Sequence, residues 1–182
     1  MIETKRLLLR AFGASDLAAL CAYRQDPEVA RYQGWTPDFS EADGRAFLQA
    51  VSTTAWGTRG RWSNLAVELV ATGQLVGDVG LRVEPDGAAG QIGFTLARPH
   101  QRRGYALEAA GALCDHAVGK MGLGSLFAVV DSRNAPSIRL LERLGFDRAG
   151  FHARGAMFKG ALCDDLLFKR DAGPRGTPAP PR

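Results

Sequence analysis

The sequence predicts an α/β (α+β) fold, a mixed sheet with helices interleaved among its strands. Three observations carry that expectation. Runs of strand length, apolar or alternating, recur along the chain, and apolar stripes at helical spacing separate them. Gly and Pro punctuate the joins, with Pro just inside a helix start and Gly just past a helix end. The length of 182 residues suits one domain that buries a core without staples.

The elements follow in order. Thr4–Arg10 alternates around Leu7, Leu8 and Leu9 and reads as a strand. Ser15 and Asp16 cap a helix to about Arg24, with Leu17, Leu20 and Cys21 on one stripe, and Asp26-Pro27-Glu28 breaks it. Arg31–Pro37 is aromatic and irregular. Ser40 opens a second helix, with Asp43 three residues on in a capping box, and Phe47, Ala50 and Val51 form its apolar stripe. Trp62–Val70 and Gln74–Val83 are strands joined by an Ala-Thr-Gly turn. Gln91–Ala97 is the next strand, after the turn-rich Glu84–Gly90. Tyr105–Val118 is an Ala-rich helix ended by Gly119, Gly122 and Gly124. Leu126–Val130 is a continuous apolar run suited to a buried strand. Pro136–Leu144 is a helix, and Phe146–His152 with Ala161–Phe168 form a last strand pair. The domain therefore spans 1–170. The Pro-rich segment 171–182 has no large apolar residue and is expected to be disordered.

Composition excludes several classes. Apolar residues make up 46% and charged residues 23%, ordinary values that rule out collagen, a disulfide scaffold and global disorder. The charge of +4 suits an anionic ligand and does not call for nucleic acid. Cys21, Cys114 and Cys163 are odd in number with no CxxC pair, so neither a zinc site nor another metal centre is expected. They read as small core residues in a reducing, cytoplasmic setting. The apolar run near the N-terminus is too short for a signal peptide or a membrane span.

Two segments carry chemistry. In Gln91–Glu108 a strand passes through a short loop into a helix. Gly104 and Ala106 let a ligand approach the backbone, and the first helical N–H groups lack intrahelical partners. Their partial positive charge, with Arg98, Arg102 and Arg103 nearby, suits a pyrophosphate. The same features also suit a simple turn with solvated arginines. There is neither a Walker A loop nor a GxGxxG fingerprint. In the second segment, Asp131–Phe146, Ser137 shares a helical stripe with Leu140, Leu141 and Leu144, so its hydroxyl points inward at the helix start. Asn134 and Ser137 serve equally well as helix caps.

With Thr4–Phe12 (TKRLLLRAF), QIGFTL, QRRGYALEA and NAPSIRLLERLGF in this order over most of residues 4–170, the chain resembles the GNAT superfamily of acetyl-coenzyme A-dependent N-acetyltransferases, its RimJ/RimL-type branch above all. The resemblance implies a largely antiparallel twisted sheet of six to seven strands, splayed centrally and flanked by about four helices. It implies that Thr95, Leu96 and Ala97 offer backbone groups to pantetheine and an oxyanion donor to the acetyl carbonyl. It implies that Gln101, Arg102, Arg103, Gly104, Tyr105 and Ala106 cradle the pyrophosphate. Asn134 matches a residue that contacts pantetheine, and Ser137 matches one near the thioester sulfur, fit to protonate the leaving thiolate. The implied reaction is direct attack of a neutral amine on the thioester in a ternary complex.

One departure stands out, because Gln91 occupies a position where the family commonly has Glu, and Gln cannot act as a base. Glu68, Asp78 and His100 are the other candidates. Tyr32 and Trp35 could wall the acceptor slot together with about Ala153–Cys163, although Trp35 equally suits packing on the sheet edge. The acceptor is a protein N-terminal amine, as in the RimJ/RimL branch, or a small amine such as an aminoglycoside, a polyamine or an amino-acid-like compound. A non-catalytic acetyl-coenzyme A-binding module is a third reading, favoured by Gln91. A homodimer is compatible with the resemblance, though no residue pattern points to one.

Overall fold

The structure, a computed structural model, describes residues 1–159 and 161–173, and for residues 152–158 and 161–163 the backbone alone. Calls on the Cys163 side chain, on side chains in most of segment 153–163 and on the tail past residue 173 therefore lie outside the described residues.

Eight strands form one sheet: β1 (Ile2–Glu3), β2 (Leu7–Arg10), β3 (Trp62–Leu69), β4 (Leu75–Val83), β5 (Ala89–Leu96), β6 (Ser125–Asp131), β7 (Asp147–Phe158) and β8 (Ala161–Asp171). Their order is β1-β2-β3-β4-β5-β6-β8-β7, and every neighbouring pair is antiparallel except β5 and β6. The helices are α1 (Leu17–Arg24), α2 (Pro27–Ala30), α3 (Glu41–Thr53), α4 (Tyr105–Gly119) and α5 (Ala135–Arg143). Two expected counts change. The sheet gains an eighth strand because Ile2 and Glu3 pair with Leu9 and Leu8, a run too short to leave a periodic signal. A fifth helix appears because Asp26-Pro27-Glu28 starts a turn as well as ending one. The Asp26 carboxylate accepts the Glu28 N–H at 2.9 Å, and Pro27 fills the first helical position. The expected capping box of α3 is present: Ser40 Oγ accepts the Asp43 N–H at 3.1 Å, and Asp43 accepts the Ser40 N–H at 2.8 Å.

Strand alternation sorts the side chains onto two faces. Leu7, Leu9, Leu65, Val67, Val79, Leu81, Ile92 and Leu126 join Leu113 and Cys114 of α4 in the main core. On the opposite face Ala66 and Leu75 pack with Leu20 and Tyr23 of α1 and with Phe47 of α3. A bulge sets Val76 and Gly77 of β4 opposite Val67 of β3. A Cβ on Gly77 would lie 2.1 Å from the Thr95 carbonyl oxygen, so the bulge brings β4 close enough to β5 to admit only glycine.

Two ionic clusters fasten the N-terminal strands. Arg10 of β2 holds Asp16 through both Nη atoms at 2.7 and 2.8 Å, and Glu68 of β3 through Nε at 2.6 Å. Glu108 of α4 accepts from Thr4 Oγ1 at 2.7 Å, from the Arg6 N–H at 2.9 Å and from Arg6 Nε at 2.6 Å. Arg6 also donates to the Arg103 carbonyl at 3.0 Å and lies over the Tyr105 ring at 4.6 Å. The Thr-Lys-Arg start of the chain thus anchors the N-terminus of α4.

Arg10→Ala would leave Asp16, buried to 4% exposure, without its partner, and the expected loss of stability is about 2–3 kcal/mol. Its hydrogen bonds to Arg10 hold the Asp16 carboxyl below the ordinary value of 3.8. The stability this gives is present above that value and is lost as pH falls through the lowered one. Chemical denaturation across pH 2–6 should therefore show a shallower acid limb in Arg10→Ala than in the parent.

Candidate active site

β5 and β6 pair in parallel over three positions, Ala89 with Ser125, Gly90 with Leu126 and Gln91 with Phe127, and then part. The cleft that opens beyond Gln91 holds about 460 Å³ of empty space, its open mouths included. Its walls are Ile92, Gly93 and Phe94 of β5, Ala128–Asp131 of β6, Asn134, Ser137 and Leu141 from α5, and Tyr32 and Gln33 from the link after α2.

Ladder alternation decides which backbone groups face the gap. The Ala97 N–H donates to the Val76 carbonyl at 2.9 Å. By alternation the N–H and C=O groups of Gly93 and Thr95 also turn to β4, and those of Ile92, Phe94 and Leu96 turn to the gap. Gln101 Nε2 takes the Leu96 carbonyl at 3.0 Å, which leaves the Leu96 N–H. Of the three positions named from the sequence, Leu96 turns its N–H to the gap, whereas Thr95 turns to β4 and Ala97 gives its N–H to Val76 and its carbonyl to His100 at 2.9 Å. Phe94, not singled out from the sequence, shares the parity of Leu96.

Asn134 Oδ1 accepts the Ser137 N–H at 3.3 Å, so Asn134 caps α5. Both residues also line the cleft, so the cap and the site are one feature. Behind the end of β5, Arg102 (φ 61°) and Gly104 (φ 79°) are both left-handed, which turns the loop into α4. No side chain caps α4 at Gly104, and the first intrahelical bond runs from the Glu108 N–H to the Gly104 carbonyl at 3.1 Å. The N–H groups of Tyr105, Ala106 and Leu107 therefore have no partner within the helix. Arg102 and Arg103 are exposed beside them. Arg98 is not part of this group, since its Nε lies 3.0 Å from Asp26.

Tyr32 lines the cleft and donates from its hydroxyl to the Arg133 carbonyl at 3.3 Å. Trp35 is not among the lining residues. Its Nε1 donates to the Arg24 carbonyl at 3.1 Å and its ring packs with the α1–α3 core. The Arg24 guanidinium lies 4.2 Å from the Trp35 ring and 4.1 Å from that of Phe47, a cation held between aromatic faces. Lys159 was missed as well. Its Nζ donates to the Ala30 carbonyl at 2.6 Å and to that of Trp35, which ties the β7–β8 turn to the link that carries Tyr32.

The candidate bases lie elsewhere. Glu68 is held by Arg10. Asp78 is buried under α1, where it accepts from the Tyr23 hydroxyl at 2.6 Å and from Asn64 Nδ2 at 3.3 Å, with Arg24 Nη2 at 3.9 Å. Burial pushes its carboxyl above the usual range, against the pull of Arg24 and these donors. Burial, and then Arg103, lower the His100 imidazole, which is neutral at pH 7. None of the three lines the cleft. Cys21 and Cys114 are buried, and burial pushes the Cys114 thiol up to about 12, which leaves it inert as a nucleophile. Among the described residues, no group of three or more His, Cys, Asp and Glu is placed to hold a metal ion, and no helix is long and apolar enough to cross a membrane.

A sheet that parts between two parallel strands, with a partnerless helix N-terminus behind the gap, suits a ligand that is extended at one end and anionic at the other. The acetyltransferase (GNAT) domain family matches residues 6–147, and this chain belongs to it. The chain is 30% identical to the uncharacterized N-acetyltransferase p20 of Bacillus licheniformis, over 92% of this chain and 93% of that one. The crystal structure of a GNAT-family acetyltransferase from Bacillus anthracis superposes with a TM-score of 0.82 at 26% identity, covering 93% and 97% of the two chains. Two structures at 18% identity share the fold. Vibrio cholerae spermidine N-acetyltransferase with CoA and spermine has a TM-score of 0.79 and covers 92% and 96%. RimL, the ribosomal L7/L12 alpha-N-protein acetyltransferase with coenzyme A, has a TM-score of 0.78 and covers 92% and 95%. Membership makes the chain an acyltransferase with acetyl-coenzyme A as its donor substrate.

Tyr23→Phe would deprive the buried Asp78 of its shortest hydrogen bond, and the expected cost is about 1–3 kcal/mol. The loss should grow with pH. The donor favours the charged carboxylate, so removing it raises the Asp78 pKa further and penalises the ionised form. Denaturant titrations at pH 5 and pH 8 read the difference. Equal losses at both would mean that Asp78 does not change its protonation state between them.

Proposed function

We propose that the chain transfers an acetyl group from acetyl-coenzyme A to a primary amine by direct attack in a ternary complex. The cleft between β5 and β6, with Ser137 and Asn134 on its wall and the N-terminus of α4 behind it, carries this reading. An extended pantetheine arm suits the unpaired backbone edge of β5, since an amide-bearing chain can satisfy the N–H and C=O groups that β6 leaves without partners. The Phe94 and Leu96 N–H groups are the donors available to the acetyl oxygen as it gains charge, a contribution of about 3 kcal/mol for a well-placed donor. Gln101–Ala106 hold the pyrophosphate through the free N–H groups of α4, with Arg102 and Arg103 adding charge.

Ser137 is the residue to protonate the departing thiolate, and Asn134 fixes it by capping the same turn. Glu68, Asp78 and His100 do not line the cleft, and Asp131, which does, is paired with Arg133 at 2.6 Å, so the proposed route for the ammonium proton is through water. A neutral amine then attacks, and the proton its nitrogen gives up passes through water and the Ser137 hydroxyl to the departing thiolate, which leaves Ser137 as it began.

Gly104→Glu is expected to abolish acetyl-coenzyme A binding. A side chain at φ 79° strains the loop, its Cβ meets Arg6 Nη2 at 3.3 Å, and its carboxylate repels phosphate. Calorimetry on folded protein checks this, and unchanged affinity would remove the loop from the site. Ser137→Ala is expected to lower turnover about 100-fold while donor affinity stays within about twofold. An unchanged kcat with an accepted amine would remove Ser137 from the chemistry.

A further inference from the structure

The sheet registers place side chains in rows on the face opposite α4. Trp62, Arg82, Gln91 and Phe127 form one row across β3, β4, β5 and β6. The next row is Asn64, Gly80 and Gly93, then the gap, then Val129 and Leu167. This second row crosses the cleft at its vertex, and it has no side chain on either β4 or β5. Trp62 leans into the space. A Cβ on Gly80 would meet its ring at 3.2 and 3.3 Å, and one on Gly93 would meet it at 3.5 and 3.6 Å. The indole therefore lies on the two paired glycines, beside the point where β5 and β6 part. Trp62 is nevertheless 40% exposed, and across the gap Val129 and Leu167 are 45% and 36% exposed. Three large apolar side chains thus stand open on one face around the vertex of the cleft.

The charges near the vertex bear on the occupant, with Asp165 buried in register with Asp131, and Asp147 and Asp171 beside Lys169 farther along the face. Glu68 is held by Arg10, Asp78 by Tyr23, and Asp131 by Arg133 at 2.6 Å. Glu84, at the end of β4, lies 3.8 Å from Arg82. Arg82 itself stands in the row between Trp62 and Gln91. A polycation would find a guanidinium and no free carboxylate among these groups. A monoamine on a flat apolar body would find an indole and two aliphatic side chains.

We infer that Trp62, laid over Gly80 and Gly93, is the platform for the acceptor, and that the acceptor is an amine borne on an apolar or aromatic body rather than a polyamine. This rests on the acetyltransferase reading above and adds to it the acceptor's class and a binding residue. The apolar body stacks on the open face of the indole, and the amino group reaches over Gly93 to the thioester. Gly80 and Gly93 keep the indole low enough to leave that path clear.

Acetyl transfer to phenethylamine and to spermidine, followed by thiol release, tests the inference, with acetyl-coenzyme A affinity measured by calorimetry on every protein. The parent is expected to use phenethylamine with a kcat/KM at least about tenfold above that for spermidine. Trp62→Ala should raise KM for phenethylamine about tenfold with kcat and donor affinity within about twofold, and Trp62→Phe should raise it about threefold. A preference for spermidine, or a Trp62→Ala protein whose KM for phenethylamine is unchanged, overturns the inference. So does a parent that binds acetyl-coenzyme A but acetylates neither amine. A parent that does not bind acetyl-coenzyme A overturns the acetyltransferase reading itself.

Discussion

Backbone hydrogen bonds that two strands decline to make set the terms for the rest of the molecule. A parallel pair buried in a sheet ordinarily exchanges N–H and C=O groups along its whole length, and leaving such groups unpaired in an apolar setting costs free energy. Here β5 and β6 exchange them over three positions and then separate, while Ile92, Ala128 and Val130 keep the walls apolar. An unmet edge of this kind favours a ligand that is itself an extended chain with amides. The molecule is organised to keep the edge unmet. The bulge at Val76 and Gly77 keeps β4 and β5 in close contact next to the opening, and α5 begins at the far wall with the residues that line it.

The two faces of the sheet differ in what they tolerate. Under α4 and α5 the packing is apolar and continuous, and the cleft is backed by that side. Under α1 and α3 the core holds a carboxylate, a phenol and a guanidinium, with Arg24 between the Trp35 and Phe47 rings. Removing one member of such a group leaves the others buried without partners, so the group allows few geometries. It fixes α1, and through the Trp35–Arg24 hydrogen bond it fixes the link that brings Tyr32 to the cleft. The polar core positions the wall of the cleft that Tyr32 forms.

Much of this was legible in the sequence, for reasons that differ by element. Strand and helix periods identified the long elements, and Ser40 with Asp43 declared the start of α3. Gly104 and the loop before it stood out because their chemistry is local: one left-handed position and one helix end. What depended on pairing across the sheet was not legible. Thr95 in β5 and Ala97 just after it turn their N–H groups to β4, a parity set by the register with that strand. Trp62 stands thirty residues from the motifs, and its place over Gly80 and Gly93 exists only once three strands are aligned. Trp35, conspicuous in an aromatic loop, serves Arg24, because a buried guanidinium needed its ring. Ile2 and Glu3 form a strand only because Leu8 and Leu9 are already there to receive them.

The contact between Arg6 and Glu108 joins residues 102 positions apart. β1 and β2 are made before α4 and must wait for about a hundred residues before it exists to receive them. Until that loop closes, the turn at Gly104 has no Arg6 to hold the Arg103 carbonyl. The N-terminal end of α4 is thus completed by a segment that lies far ahead of it in the sequence. Sequence added ahead of Met1 enters next to this junction, so where a fusion partner is attached is a choice about the site as well as about the fold.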